Sequence, residues 1–599
     1  MSAPSRHKKK QRTAIPQPAV AEEQLHEQKK SFFRPWYFGA ALPLLALLIY
    51  WPVLDGPFVL DDYDLRESFS TVVRANRRVI LNSGRPLLML TFIANHRLAG
   101  GFDASQFHLT NVLLHGLNAL LLWLFARALF RDGRLDRWID PGWRPLFIYG
   151  LPLLFLTTPV QSEAVAYISA RSELMAAAFF IGGLGLFASR LREERPWLAA
   201  VCVLVCVIGA AASKQDKITL PVALFLMDWL LLSQGDWKGL RRSWPTYGLF
   251  VIGMAAGFFV LIRPFLFAVS AGFNLDWKTY LFTQFRMYFR YLRQFTFPFG
   301  LNLDPEIAPS SSLTDHFSWL AAAALVALVV ALLWFRRKIP LVTFGGLFFL
   351  LVLAPTTSFF PLLDFAAERR LYLPSVGFFL AALCGVAMLA RPGARYVYGS
   401  LAAILIVYSI GTLQRAVIWS DELLLWGDVA AKSPNKGRPW SWLGRTLSNR
   451  GRTEEAEGAW RRSAALLEEG SNEHAYVLNN LGLVRAQNKD YAGAIAYYEQ
   501  ALAVVPGDTR IRAQLAVAQI RAGDAVAGWR SFHEAFRRPA LVHAETLVLR
   551  AQEFFQLAQY QNAVNDYFRA SQMRPEDLEI QRDLEIAREH LSREPEAPR

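Results

Sequence analysis

The sequence predicts an all-α protein: a polytopic membrane domain of about eleven spans followed by a C-terminal α-solenoid. Three observations carry that expectation. Hydrophobic residues make up 53% of the 599, with 43 Phe and 18 Trp, and mean hydropathy is +0.21, outside the range of ordinary soluble chains. The apolar excess falls in blocks of roughly 20 residues, enough to cross a hydrocarbon core about 30 Å thick, and it stops near residue 413. Beyond that point the sequence is charged and Ala-rich, and it repeats with a period of about 34 residues.

In chain order, residues 1–35 carry RHKKKQR and a Pro/Gln/Glu tract, and read as a disordered basic cytoplasmic tail. No cleavable signal peptide is expected, because the first apolar stretch begins near Trp36 and lacks a cleavage site. The candidate spans are 36–54, 107–130, 145–160, 172–190, 197–213, 217–233, 246–270, 317–335, 339–357, 372–390 and 394–413, within a membrane domain at 36–415. Alternate loops hold the basic residues, as membrane orientation requires: Arg127 to Arg144, Arg190/Arg192/Arg195, Lys238/Arg241/Arg242, Arg336/Arg337/Lys338 and Arg391/Arg395. With those loops and the basic tail inside, an odd number of crossings puts everything after Leu413 outside. The segment 280–297 spaces Arg286, Arg290 and Arg293 at helical intervals among Phe and Tyr, and is read as lying at the outer interface. Were it to span, the C-terminal part would move inside.

After a connector at 416–436, the repeat region occupies 437–592, with a disordered tail at 593–599. In NNLGLVRAQNKDYAGAIAYYEQALAVVP, Leu481, Gly482, Tyr491, Ala494, Tyr498, Ala501 and Pro506 fall on the tetratricopeptide positions. Degenerate copies flank it, giving about four units and a polar capping helix near 578–592. Stacked helix pairs of this kind make a concave surface that binds polypeptide, so the repeats read as a cradle for a protein partner. The plainer reading is a packing platform for the membrane domain.

The formal charge of +14 sits mostly in the short loops between spans, so nucleic acid is not an expected partner. Cys202, Cys206 and Cys384 lie inside apolar spans and suggest neither a disulfide framework nor a Cys metal site.

Polar residues suited to chemistry gather in the outward loops. FVLDDYD brings Asp61 and Asp62 together just past the first span, with Asp64 and Glu67 following. A carboxylate there can take a proton from a hydroxyl, and a neighbouring carboxylate raises its proton affinity. A solvated acidic loop or a helix N-cap is the bland alternative. Between 83 and 123, Arg85, His108, Asn111, His115 and Asn118 punctuate apolar sequence, and the last four form one stripe of the second span. Asn111, His115 and Asn118 are read as knitting helices together; His108 and His115 lack a third ligand at metal-binding spacing. Three further loops repeat the pattern, with Glu163, Arg171 and Glu173; with Lys214, Asp216 and Lys217; and with Asp364, Glu368, Arg369, Arg370 and Tyr372. Arg and Lys at that boundary can bind a lipid phosphate, or snorkel and pair with nearby acids. Arg369, Lys214, Arg171 and Arg85 are the candidate lipid-phosphate ligands, and Glu163, Glu368, His108 and Tyr372 the supporting polar residues. For Arg370 and Lys217 simple pairing is favoured.

FVLDDYD, RPLLMLTFIANHRLAG, PVQSEAVAYISARSELMAA, SKQDKITLPVALFLMDWLL, AERRLYLPSVGF and IWSDELLLW, in this order, resemble the transmembrane and tetratricopeptide-repeat O-mannosyltransferases and their prokaryotic relatives over about residues 36–580. The resemblance implies a GT-C-like glycosyltransferase fold, a polyprenyl- or dolichyl-phosphate sugar donor, and transfer to Ser or Thr of a protein on the non-cytoplasmic face. That face is periplasmic in a bacterium and lumenal in an endoplasmic reticulum. The family's acidic pair maps onto Asp61 and Asp62. Where it has His-Pro-x-His, this chain has Thr158-Pro159-Val160-Gln161; its SKE has become Ser213-Lys214-Gln215, and its AERY has become Ala367-Glu368-Arg369-Arg370. No cofactor is required, although a divalent ion, Mg or Mn, could assist the phosphate. The competing readings are a non-catalytic membrane scaffold, a lipid flippase, and a transferase acting on a glycan or lipid.

Overall fold

The computed structural model describes residues 35–63, 80, 83–241, 243–257, 276–391, 394–537, 542–575 and 577–593, and among these it is helical without a strand. The expected tail at 1–34, Asp64 and Glu67, the far part of the 246–270 block and residues 594–599 lie outside the described residues.

Six helices are long and apolar enough to cross a membrane: Trp36–Asp55, Ala104–Leu129, Ile168–Ala188, Pro196–Ser213, Asp315–Phe335 and Arg395–Trp419. Pro340–Thr356 and Pro374–Leu389 are apolar but shorter. The described residues therefore hold six such helices rather than about eleven. The block at 145–160 changes geometry, with a π segment, Leu146–Gly150, running into the short helix Leu151–Thr157. Pro152 cannot donate to the carbonyl four residues back, and the widened turn before it absorbs the mismatch. The block at 217–233 divides likewise into Leu220–Met227 and a π segment, Asp228–Leu232.

The basic loops meet at one end of the bundle. Trp138 donates to the Arg337 carbonyl at 3.1 Å, Gln234 donates to the Arg134 carbonyl, and Arg134 pairs with Glu193. Just inside that end, Asp228 is fully buried and satisfied by Arg192 at 2.9 Å, Ser233 at 2.6 Å and Tyr247 at 2.7 Å. The polar loops carrying the candidate residues meet at the other end, where the repeats begin.

Trp277–Thr296 forms the amphipathic helix expected at 280–297, and it is not among the helices apolar enough to span. Its buried face, Tyr280, Thr283, Gln284, Tyr288, Tyr291 and Gln294 among others, recurs every three or four residues. This polar face supports the loop that follows Pro340–Thr356: Tyr280 donates to the Thr356 carbonyl at 2.8 Å, Gln284 to Phe365 at 2.9 Å, and Tyr291 accepts from the Ala367 amide.

Small residues allow close helix approach in the membrane half. A Cβ on Gly345 would fall 2.5 Å from the Gly377 carbonyl oxygen, so Pro340–Leu353 and Pro374–Leu389 pack backbone to backbone there. Gly345→Val is expected to destabilise the fold by about 1–3 kcal/mol. Thermal unfolding in detergent, followed by tryptophan fluorescence, would show this, and an unchanged melting temperature would refute the contact.

The C-terminal helices alternate as four pairs, Gly437–Asn449/Thr453–Leu466, Asn472–Gln487/Tyr491–Val504, Thr509–Arg521/Ala525–Phe536 and Ala544–Gln556/Tyr560–Met573, closed by Leu578–Arg593. Ala494 and Ala501 are fully buried, and a Cβ on Gly482 would sit 2.6 Å from the Tyr498 ring, so the small residue is what lets the paired helices meet. The connector contains a helix of its own, Glu422–Lys432, N-capped by the Asp421 carboxylate.

Candidate active site at the junction of bundle and repeats

The acidic pair sits on a strained turn. Leu60 adopts φ 49°, a left-handed conformation unusual for a non-glycine residue, immediately before Asp61. Asp62 closes that turn: its Oδ2 accepts the Val59 amide at 3.2 Å, and its Oδ1 accepts the Ser169 amide at 2.8 Å and the Ser169 hydroxyl. Asp62 is fully buried, whereas Asp61 is exposed. The two carboxylates thus have separate environments. Farther back on the loop, the Gly56 carbonyl lies 3.2 Å from Nε2 of buried His108.

Burial pushes the Asp62 carboxyl up to about 7, against hydrogen bonds from Ser169 and Val59 that lower it and with a smaller push from the Asp61 charge. A carboxyl raised above its unfolded value near 3.8 contributes most to stability below that pH, and the contribution is lost as pH rises through 7. Asp62→Asn is therefore expected to flatten the decline of stability between about pH 4 and 8, a difference of up to about 4 kcal/mol. Melting curves of both proteins at pH 5 and pH 8 measure it, and parallel curves would contradict it.

Tyr167 links the turn to the next loop. Its hydroxyl accepts the Asp61 amide at 3.2 Å, and burial, followed by the two nearby carboxylates, holds its proton on well above the usual phenol range. The Arg369 guanidinium lies over the Tyr167 ring, 5.7 Å from its centroid. Arg369 pairs with buried Glu163 and lies 3.6 Å from Asp364. Glu163 in turn accepts the Glu368 amide at 2.7 Å and the Arg369 amide at 3.2 Å, fixing the backbone of the AERR segment. Tyr167 and Ser169 fall in the segment Tyr167 to Arg171 that matches the family's YISGR-type stretch, but of that segment sequence reasoning singles out only Arg171 as a site residue.

Lys214 belongs to a second charged group. It pairs with Glu173, which also faces Lys217 at 3.1 Å, and Asp216 bridges the two lysines at 3.6 and 2.8 Å. Burial lowers the Lys214 ammonium. Arg85 contributes positive charge to the same group, near enough to favour the Asp216 carboxylate. Gln215, which replaces the acid of the SKE pattern, donates to the Gly84 carbonyl and ties this loop to the approach to Arg85.

Arg171 does not face this surface, which corrects its expected role as a phosphate ligand. It is fully buried, donating to Asn111 at 2.8 Å, Asn95 at 2.5 Å and the Phe107 carbonyl at 3.0 Å, with its plane over Phe92 and Phe107. Glu368 is also directed inward, accepting the Asn302 amide at 2.6 Å and lying 4.0 Å from Arg415. Tyr372 is buried between His115 at 2.8 Å and Asn118 at 3.1 Å, so the polar stripe does knit helices as expected. Arg370 is spent on the Asp364 and Phe365 carbonyls. Among the described residues no three His, Cys, Asp or Glu side chains come together to hold a metal ion.

A tetratricopeptide repeat family model matches residues 437–506. The chain is 24% identical over 445 residues to Protein O-mannosyl-transferase F38B6.6 of Caenorhabditis elegans, covering 69% of this chain and 60% of the relative. Its relatives are TMTC-type protein O-mannosyl-transferases. Drosophila melanogaster Tmtc3 is also 24% identical over 71% of this chain and 52% of its own length, and Mus musculus TMTC4 is 24% identical over 70% and 65%. The chain thus spans about half to two thirds of the length of these relatives.

Proposed function

We propose that this protein is a membrane glycosyltransferase that moves a hexose, mannose by analogy with its relatives' names, from a polyprenyl- or dolichyl-phosphate donor to a Ser or Thr hydroxyl of a protein. Transfer takes place at the end of the bundle opposite the basic loops, the non-cytoplasmic face by the positive-inside rule. The observation that carries the proposal is Asp61: an exposed carboxylate on a strained turn, beside Tyr167 and Arg369, at the bundle end where the repeats begin.

Asp61 takes the hydroxyl proton while the acceptor oxygen forms its bond to the anomeric carbon. The bond from that carbon to the lipid phosphate oxygen breaks, its electron pair leaves with the phosphate, and configuration inverts. Asp62 is less suited to that task, since both its oxygens already accept hydrogen bonds; it holds the turn. Arg369, part-exposed and lying over the Tyr167 ring whose hydroxyl meets the Asp61 turn, is assigned to the departing phosphate, with Lys214 and Arg85 of the second charged group supplying further positive charge. His108, Tyr372, Glu163 and Glu368 position the loops.

The test is transfer of mannose from polyprenyl-phosphate mannose to a Ser/Thr peptide by purified full-length protein in nanodiscs. Product with inverted anomeric configuration supports the proposal. Absence of transfer with both polyprenyl- and dolichyl-linked donors, alongside retained peptide binding, would favour a repeat scaffold instead.

A further inference from the structure

The first repeat touches the candidate site at two separate points. Tyr63, two residues past Asp61, donates to Glu422 at 3.0 Å and stacks on Trp442, with ring centroids 5.9 Å apart and planes 17° apart. Arg445 lies over both rings, at 4.2 and 5.1 Å, and Trp442 stacks in turn on buried Trp426 of the connector helix at 5.4 Å. On the other side, Arg438 grips Asp304 with two donors, Nε at 2.7 Å and Nη2 at 2.5 Å, and the same Nη2 reaches Asp364 at 2.8 Å. Asp364 is the second carboxylate beside Arg369. Asp304 is itself almost fully buried and also held by Lys436.

We propose that the helix Gly437–Asn449 of the first repeat is a positioning element of the active site, in which Trp442 with Arg445 holds the Asp61 turn through Tyr63 and Arg438 holds Arg369 through Asp364. This rests on the function proposed above for Asp61 and Arg369. A repeat that only captured acceptor protein would have no reason to hold both reacting loops. A bidentate Arg–carboxylate grip fixes orientation as well as distance, and a Lys in its place supplies charge without the fork. An offset aromatic stack capped by a guanidinium likewise fixes a ring plane. The two contacts are far apart in sequence, Tyr63 and Asp364, yet converge on one helix. The turn bearing the base and the loop bearing the cation are therefore set relative to each other by the repeat.

The experiment uses the full chain with a short Ser/Thr peptide acceptor. Arg438→Leu and Trp442→Ala are expected to lower kcat at least ten-fold, with the peptide KM changed less than about two-fold; Arg438→Lys and Trp442→Phe should each recover part of kcat. A second readout is independent of turnover. In a background lacking Cys202, Cys206 and Cys384, Asp61→Cys should react with a maleimide several-fold faster when Trp442→Ala is added, while Ser592→Cys at the far end of the repeats should not change. A raised KM with unchanged kcat, or equal labelling rates with and without Trp442, overturns the proposal. A wild-type protein that transfers no sugar would remove the reading of the site alone, because the labelling rates still decide whether the repeat holds the turn.

Discussion

Asp61→Asn is expected to lower the transfer rate by about 10² to 10⁴-fold, the usual loss when a general base is removed. The amide keeps the shape of the side chain but cannot take the acceptor proton. Asp61 is exposed and its turn is held by other groups, namely the Asp62 bonds to Val59 and Ser169, so the variant should fold and melt like wild type. Asp62→Asn should behave in the opposite way. Its rate loss comes only from a looser turn, about ten-fold or less, while its stability changes with pH as described above. Rates measured under saturating peptide and donor separate the two. A larger loss from Asp62→Asn than from Asp61→Asn would reverse the assignment, and wild-type turnover in both would remove the acidic pair from the chemistry.

Arg171→Met is expected to give the largest loss of stability. The guanidinium satisfies Asn111, Asn95 and the Phe107 carbonyl inside the bundle, and Met of similar length supplies none of those donors. Each buried acceptor left unpaired costs about 1–3 kcal/mol. Because the three sit in one network their losses do not add fully, and about 3–5 kcal/mol in total is expected. The variant should express poorly or melt well below wild type. Arg171→Lys should restore only part of this, since one ammonium cannot reproduce donors spread over a planar fork. A Met variant that melts normally but binds donor weakly would instead return Arg171 to the phosphate site.

The corrected role of Arg171 shows how far a sequence pattern reaches. Its position in the loop pattern marks it as important, but a motif does not say which way a side chain points. Arg369 and Arg171 are indistinguishable as charges in outward loops; the difference is that Arg369 keeps an exposed edge beside Tyr167, whereas Arg171 is walled in by Phe92, Phe107 and two asparagines. Hydropathy likewise counts apolar residues without knowing where a helix breaks, so the blocks at 145–160 and 217–233 read as ordinary spans, while the backbone there changes to π geometry.

What the sequence determined by itself is what depends on composition and period. A chain this apolar, in blocks of membrane length, must be a helical membrane protein, because only helices satisfy every backbone group within one segment in lipid. The 34-residue spacing of small and aromatic residues likewise dictates stacked helix pairs. The acidic pair and the charged loops were legible too, since ionisable residues beside a bilayer stand out against apolar sequence. Tertiary structure alone sets the different environments of the pair. Asp61 and Asp62 are neighbours with the same chemistry, and Ser169 and Val59 engage one of them inside the fold while the other stays exposed beside the Tyr167 hydroxyl. The meeting of Tyr63 with Trp442 and of Asp364 with Arg438 likewise joins residues separated by hundreds of positions. No local pattern encodes such a contact, because it is fixed by how the bundle and the first repeat pack.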